Sequence, residues 1–193
     1  MDHTETLTLE ERGFAHSIIC YNILIKAWGR SRTPESVACA EKILMRLEEK
    51  FLENKDNIQP DITTYSSVIN CCAYYSGNAE GQAEALQVAM RTFRRIKETG
   101  GKPNHITYGT MIKAIGKLTK MGNERDEKVK SIFAKCCREG QVDSFVLSQI
   151  RAATSPHQFQ TLVLSECQQM RKNIENQQIL KIMPLEWGRN VLN

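Results

Sequence analysis

The sequence of 193 residues predicts an all-α protein, a short solenoid of stacked helical hairpins. Apolar residues recur at helical spacing, and one helical template returns about every 43 residues. No stretch of sustained apolar and polar alternation predicts a β-strand. The chain is 41% hydrophobic and 25% charged, which is typical of a folded globular protein. Its length leaves no room for two independent enzymatic domains.

The first helix of each predicted hairpin is marked by a tyrosine. Apolar or small residues stand at i, i+3, i+4, i+7 and i+8 from it, which is one stripe of an α-helix. The three stripes are Tyr21, Leu24, Ile25, Trp28 and Gly29; Tyr65, Val68, Ile69, Cys72 and Ala73; and Tyr108, Met111, Ile112, Ile115 and Gly116. Because the last position is small each time, we expect another helix to approach closely there.

A second apolar-periodic run follows each tyrosine helix and predicts the second helix of the hairpin. The three runs are Val37, Ala40, Leu44 and Leu47; Leu86, Met90, Phe93 and Ile96; and Val129, Ile132, Phe133 and Cys136. A hairpin of about 40 residues cannot bury its apolar stripe alone, so the hairpins must stack edge to edge. Such an array presents a concave face built from the first helices.

Turn residues divide the chain. Pro60-Asp61 and Pro103-Asn104 close the first two units, and Asp143 closes the third without a proline. Phe145 to Ala153 predicts a further helix, stopped by Ser155-Pro156, that caps the stack. The predicted divisions are an N-terminal extension (1–17), repeats 1 to 3 (18–61, 62–104 and 105–143), a partial repeat or cap (144–155) and a C-terminal tail (156–193).

The seven cysteines are an odd number without zinc-ligand spacing, which predicts reduced side chains that pack as small hydrophobes, and no metal site. No apolar run is long enough to span a bilayer, so we expect no membrane partner. The acidic N-terminus, with Asp2 and Glu5 before the first arginine, is unlike a transit peptide.

The segments around the three tyrosines resemble pentatricopeptide repeats over residues 18 to 153. The residues that carry the resemblance are Cys20 to Ile25, Thr63 to Ile69 and Ile106 to Ile112, with Pro60-Asp61 and Pro103-Asn104. The resemblance implies a right-handed, tetratricopeptide-like superhelix, although each unit here is longer than the family's usual one.

The same resemblance implies binding of single-stranded RNA with one base per repeat. In that family the residue after the tyrosine and the last residue of the repeat face the base edge. Carried over, the base-reading pairs are Asn22 with Asp61, Ser66 with Asn104, and Gly109 with Asp143. The family's pattern suggests uracil for the first pair and adenine for the second, and it gives no preference for the third.

Stacking and phosphate contacts are implied as well. The residues two before each tyrosine, Ile19, Thr63 and Ile106, would wedge between successive bases. Nine residues after the tyrosine, the basic Arg30 and Lys117 would meet RNA phosphates, while Tyr74 holds that place in the second unit.

The net charge of +4 is too small to indicate a nucleic-acid partner, but the basic residues are clustered. Between Met90 and Arg138 stand 13 Lys and Arg against four acids. This cluster predicts a phosphate-binding surface, and its other interpretation is a solvated helix face. The second interpretation is favoured for part of the predicted second helix, which carries Arg91, Arg94, Arg95 and Lys97.

The sequence predicts no enzyme and no cofactor. A cytidine deaminase needs His-x-Glu followed by Cys-x-x-Cys around zinc. His3-Thr4-Glu5 matches the first half and nothing matches the second. A metal-dependent nuclease needs clustered aspartates, and only Asp126 and Asp143 follow Asp61. Glycine-rich phosphate loops are absent too.

Two functions remain open. One is sequence-selective RNA binding, in organellar RNA processing, stability or translation, with other RNA-processing proteins as further partners. The other is a helical scaffold for proteins that makes no RNA contacts. Since about three bases give little affinity, we expect the chain to be a fragment of a longer array or a subunit beside other proteins. The resemblance suggests a mitochondrion or plastid.

Overall fold

A computed structural model describes residues 17–53 and 58–167. The regular structure in these two stretches is entirely helical. The helices are α1 (Ile18–Ser31), α2 (Ser36–Leu52), α3 (Ile62–Ala73), α4 (Ala79–Glu98), α5 (His105–Leu118), α6 (Asn123–Arg138), α7 (Ser144–Ala153) and α8 (Pro156–Cys167). Residues 1–16 of the predicted extension and 168–193 of the predicted tail lie outside the described part.

The helices form two rows. The first helices α1, α3, α5 and α7 pack side by side in chain order, and each second helix packs against the first helix of its own hairpin. The second helices α2, α4 and α6 also contact the first helix of the following unit. This arrangement is a helical-repeat solenoid, in which each unit buries its apolar face against its neighbours. The all-α fold class predicted from the sequence is confirmed.

One continuous core lies between the rows and is built from the predicted stripes. Tyr21, Tyr65 and Tyr108 are all buried, and so are the residues four positions after them, Ile25, Ile69 and Ile112. Leu24 and Trp28 of α1 are only partly buried. Each buried leucine or isoleucine contributes about 1.5–3 kcal/mol relative to an exposed one, so the stripes hold the stack together.

Glycine allows neighbouring first helices to approach closely, as predicted. A Cβ atom placed on Gly29 of α1 would lie 3.3 Å from the Cα of Cys71 in α3. A Cβ placed on Gly116 of α5 would lie 2.8 Å from the Cβ of Ala153 in α7, closer than real side chains come. The i+8 position of the template therefore sets the separation of adjacent first helices.

Polar residues begin the first helices. Asp61 caps α3 through Oδ1, which accepts a hydrogen bond from the backbone N–H of Thr64 at 2.7 Å, while Thr64 Oγ1 accepts one from the Asp61 N–H at 3.2 Å. Asn104 and Thr107 form the same reciprocal capping box at α5. Such caps contribute about 0.5–2 kcal/mol each and fix where the helices begin.

The chain beyond residue 155 differs from the predicted tail. Helix α7 ends at Ala153, but Pro156 then begins α8, which packs against α6 and α7. Proline is tolerated in the first turn of a helix, where its missing N–H has no helical partner. Ser155 Oγ accepts a hydrogen bond from the Gln158 N–H at 3.2 Å, and the buried Phe159, Leu162 and Val163 form the packing face. The partial repeat thus has a second helix.

Candidate nucleic-acid interface

A groove of about 710 Å³ runs along α3, between α1 and α5. Five of the residues singled out in the sequence line it: Arg30, Thr63, Ser66, Asn104 and Ile106. They come from the C-terminal end of α1, from α3 and from the N-terminus of α5. The groove therefore brings together predicted base-reading, stacking and phosphate-contacting residues of successive units.

The first predicted pair is in direct contact. Nδ2 of Asn22 donates a hydrogen bond to Oδ1 of Asp61 at 3.3 Å. The Asn22 side chain is almost fully buried, at 7% exposure, and its Oδ1 has no hydrogen-bond partner among the described residues. Oδ1 of Asp61 accepts the hydrogen bond from Asn22 and both hydrogen bonds from Thr64 in the cap of α3. Oδ2 of Asp61 takes part in none of these three bonds.

The second pair is joined through one intervening side chain. Ser66 Oγ lies 2.9 Å from Thr107 Oγ1, whose hydroxyl donates to Asn104 Oδ1 at 2.9 Å. Since the Thr107 proton is used on Asn104, Ser66 is the donor to Thr107. The lone pairs of Ser66 and the amide group Nδ2 of Asn104 take part in none of these bonds.

The third pair has a different environment. A Cβ placed on Gly109 would lie 2.4 Å from Cε1 of Phe145, so the phenyl ring fills the space in front of this glycine. Asp143 caps α7 by accepting from the Val146 N–H at 2.8 Å, and its Oδ2 lies 4.0 Å from Nε2 of His105. A base approaching this position would meet the ring.

The predicted stacking residues lie on the surface. Ile19 is 64% exposed and Ile106 is 49% exposed, and Thr63 is exposed as well. Each stands two residues after the N-cap of its helix, and Phe145, two residues after the cap Asp143, shares this register. Sequence analysis did not place Phe145 in this series because its helix, α7, has no tyrosine at the template position.

Both predicted phosphate-contacting residues are exposed, and Lys117 belongs to a cluster of cations. Lys117 Nζ lies 5.1 Å from the centre of the Tyr74 ring, and Lys113 Nζ lies over the same ring at 3.9 Å. Arg32 approaches it at 5.6 Å. Sequence reasoning did not identify Lys113 or Arg32, because the three cations converge only in the fold.

Part of the basic cluster between Met90 and Arg138 is neutralised. Arg91 and Arg95 of α4 pair with carboxylates of α2, and Lys97 pairs with Glu139, with Nζ 2.6 Å from Oε1. The partners of the two arginines are Glu41 and Glu48. These cations lie on the row of second helices, so the interpretation as a phosphate-binding surface does not hold for them.

The described residues include no group of three or more His, Cys, Asp or Glu that could hold a metal ion. None of their helices is both long enough and apolar enough to cross a membrane.

Comparison with known families gives a match over the same part of the chain. A pentatricopeptide repeat domain model matches twice, at residues 8–74 and 51–118, which together cover more than half of the sequence. No curated protein matches the chain.

Proposed function

We propose that this chain, which belongs to the pentatricopeptide repeat family, binds single-stranded RNA sequence-selectively along the groove of its first helices. Members of the family are helical-repeat proteins that typically bind RNA and are generally not enzymes. The observation that carries the proposal is the polar arrangement at Ser66 and Asn104. Its internal hydrogen bonds leave an acceptor and a donor available beside the groove. A protein-binding scaffold has no need of such pairs in register.

The second repeat suits adenine. The Watson–Crick edge of adenine presents a ring-nitrogen acceptor next to an amino donor. Asn104 Nδ2 would donate to the ring nitrogen, and the Ser66 hydroxyl would accept from the amino group. This assignment agrees with the preference that the family's pattern suggests.

The first repeat suits uracil. Uracil presents an N–H donor between two carbonyl acceptors. The Oδ2 of Asp61, which takes part in none of the hydrogen bonds of the cap, is an acceptor on an exposed side chain and can receive the N–H.

The third repeat, with Gly109 and Asp143, contributes differently. Gly109 offers backbone and space, and the space is taken by Phe145. We propose that Phe145 extends the series of wedging residues Ile19, Thr63 and Ile106. An aromatic ring stacks on a base with about 1–3 kcal/mol, more than an aliphatic side chain provides. Arg30 and Lys117 would contact the phosphates.

The family is commonly organellar, and we propose a role in RNA processing, RNA stability or translation within a mitochondrion or plastid, beside other RNA-processing proteins. The division into repeats 18–61, 62–104 and 105–143 is part of the proposal. So few repeats read few bases, which favours action beside other RNA-binding units.

Selection from a randomised single-stranded RNA pool tests the proposal. The purified chain is compared with an Asn22→Ala/Ser66→Ala variant at two salt concentrations, with thermal melting to check that both are folded. We expect the wild type to enrich a short motif and to bind more weakly at high salt, and the folded variant to lose the motif. Absent or salt-insensitive binding, equal for both forms, would instead indicate the protein scaffold.

A further inference from the structure

The hydroxyl of Thr107 lies at the centre of a chain of hydrogen bonds that joins Ser66 to the cap of α5. It donates to Oδ1 of Asn104 at 2.9 Å and accepts from the Asn104 backbone N–H at 3.4 Å. Oγ of Ser66 lies 2.9 Å from the same hydroxyl oxygen. Thr107 is fully buried, whereas Ser66 and Asn104 line the groove. Thr107 therefore contacts both members of the second base-reading pair from inside the protein.

The backbone N–H of Thr107 fixes the direction of this chain. It donates to the Asn104 side chain at 2.9 Å, so the amide atom that faces Thr107 is the oxygen Oδ1. Because Oδ1 carries no hydrogen, the Thr107 hydroxyl at 2.9 Å from it must be the donor. The Thr107 oxygen then offers only lone pairs to Ser66. Ser66 must donate to Thr107, since two oxygens at 2.9 Å without a hydrogen between them repel each other.

The two side chains beside the groove are fixed in polarity as a result. The single hydrogen of the Ser66 hydroxyl points to Thr107, so only its lone pairs remain for a ligand in the groove. The Asn104 amide is held with Oδ1 toward Thr107, so Nδ2 with its two hydrogens remains as a donor. If the Thr107 hydroxyl were absent, the Ser66 hydroxyl could rotate and act as a donor or as an acceptor.

The corresponding positions of α3 and α7 show what is particular to Thr107. The Thr64 hydroxyl of α3 donates to Asp61 at 2.7 Å, and the reading residue of that unit bonds to Asp61 directly rather than through Thr64. Val146 holds the position in α7 and has no hydroxyl, yet its N–H still donates to the cap Asp143 at 2.8 Å. Valine is therefore compatible with a capped first helix at this position.

Adenine and hypoxanthine differ in the polarity that this chain of hydrogen bonds selects. Adenine presents an unprotonated ring nitrogen beside an amino group, whereas hypoxanthine presents a ring N–H beside a carbonyl oxygen. A donor at Asn104 and an acceptor at Ser66 complement the amino base and oppose the keto base. A Ser66 hydroxyl that rotated freely would also donate to the carbonyl oxygen and would weaken the distinction.

We propose that Thr107 is a positioning residue for base selection by the second repeat, because it holds Ser66 as an acceptor and thereby favours an amino base over a keto base. Thr107 belongs to the first helix of the following unit, so the selectivity of one repeat depends on its neighbour. It touches no base and acts through Ser66 and Asn104. This inference rests on the proposed RNA-binding function.

Inosine substitution tests the positioning role, because inosine carries hypoxanthine in place of adenine and inverts the polarity of the base edge. The RNA is a sequence enriched by the wild type, and each adenosine is replaced in turn. We expect one replacement to weaken wild-type binding by about ten-fold. In Thr107→Val this ratio should fall to about three-fold, since Ser66 then donates to the carbonyl while Asn104 still opposes the ring N–H.

Further variants separate the positioning role from packing. Thr107→Ser keeps the hydroxyl and should keep the wild-type ratio of adenosine to inosine binding. Thr64→Val removes the corresponding hydroxyl of α3 and is the matched control, which should leave the ratio at this position unchanged. Thermal melting shows whether each variant is folded, and Thr107→Ala replaces Thr107→Val if the latter is not.

The outcomes distinguish the two proposals. A wild type that binds RNA selectively but tolerates inosine at every adenosine overturns the positioning role and leaves the RNA-binding function standing. The same conclusion follows if the ratio is unchanged in folded Thr107→Val, or if Thr107→Ser lowers it as much as Thr107→Val does. A wild type that binds no RNA overturns the function and the positioning role with it.

Discussion

Asn22 of α1 donates its side-chain amide hydrogen to the carboxylate oxygen of Asp61 that caps α3, at 3.3 Å and across 39 residues of sequence. One oxygen of Asp61 thus completes the helix cap and holds the neighbouring repeat. Aspartate and asparagine cap a helix about equally well. The other polar atom of the side chain is therefore free to differ between repeats, as an acceptor in Asp61 and a donor in Asn104, without a cost to the helix.

An Asp61→Asn variant should change base selectivity and leave stability nearly unchanged. The cap and the bond from Asn22 both persist, but the acceptor Oδ2 becomes an amide donor. We expect the base preference of the first repeat to change by about ten-fold, within the 1–3 kcal/mol of a good side-chain contact to a base edge. Competition binding with RNAs that differ at one base measures this.

The control is Asp61→Ala, which removes the cap as well. It should unfold at lower denaturant concentration, with a loss of about 0.5–2 kcal/mol. If Asp61→Asn is destabilised as much as Asp61→Ala, asparagine does not replace aspartate as the cap of α3, and the prediction is wrong.

Gly109→Ala should be destabilising only while Phe145 is present. The added Cβ would meet the Phe145 ring at 2.4 Å, and overpacking of this kind costs about 1–3 kcal/mol. In a Phe145→Ala background the clash is absent, and alanine is favoured over glycine within a helix by about 0.5–1 kcal/mol. Urea denaturation of the wild type, the two single variants and the double variant should therefore show that Gly109→Ala lowers the free energy of unfolding when Phe145 is present. The same substitution should raise it when Phe145 is replaced by alanine. The same sign in both backgrounds would show that the ring moves aside freely.

Basic residues on the two rows of helices should differ in their effect on RNA binding. Lys117→Gln should weaken binding and reduce the slope of log affinity against log salt by about one. Arg91→Gln should leave that slope unchanged and slightly lower the melting temperature, since its partner is Glu41 rather than RNA. Filter binding across a salt series measures the slope for both variants, and thermal melting measures the stability of Arg91→Gln. A lower slope for Arg91→Gln would place RNA on the second helices.

The stability of the fold should depend on Tyr65 at alkaline pH. Burial, together with the charge of Glu48 and the hydrogen bond to it, raises the pKa of Tyr65 to about 12, from about 10 in the unfolded chain. The hydroxyl donates to Glu48 Oε1 at 2.9 Å. The folded protein holds this proton more tightly, so its contribution is complete below pH 10 and is lost as the pH rises towards 12.

A Tyr65→Phe variant lacks this titration. The stability advantage of the wild type over the variant should shrink between pH 10 and 12, as measured by urea denaturation at each pH. A constant difference over that interval would mean that Tyr65 titrates normally in the fold.

Helix positions were predictable because the signals are local. Pro60-Asp61 and Pro103-Asn104 mark caps, and α3 and α5 begin at the next residue in each case. The stripes that follow the tyrosines are buried as their spacing predicts in α3 and α5, and partly so in α1, where Leu24 and Trp28 remain half-buried. The prediction of a tail after Pro156 was wrong, because proline breaks a helix interior but is favoured at the first position of a helix. Only the helical spacing of the apolar residues Phe159, Leu162 and Val163 distinguishes the start of a new helix from the end of the last one.

The electrostatics of the candidate site could not be predicted in the same way. Arg91 and Glu41 are separated by 50 residues and meet only because α2 and α4 pack together. The ring of Phe145 in front of Gly109 and the cations around Tyr74 also join different helices. A count of charges along the chain therefore reveals neither that Arg91 is neutralised by Glu41 nor that three cations converge on Tyr74. Ser66 and Asn104, which the periodic match singled out, line one groove because α3 and α5 pack side by side.

The tight contacts at Gly29 and Gly116 also constrain the conformation of any strand that binds. Packed helices lie about 8–10 Å apart, whereas stacked nucleotides advance by only about 3.4 Å. A strand that offers one base to each hairpin must therefore be stretched until its bases no longer touch each other. RNA that is folded or strongly self-stacked would resist this extension, so accessibility of the transcript, as much as its sequence, would determine which RNA the protein captures.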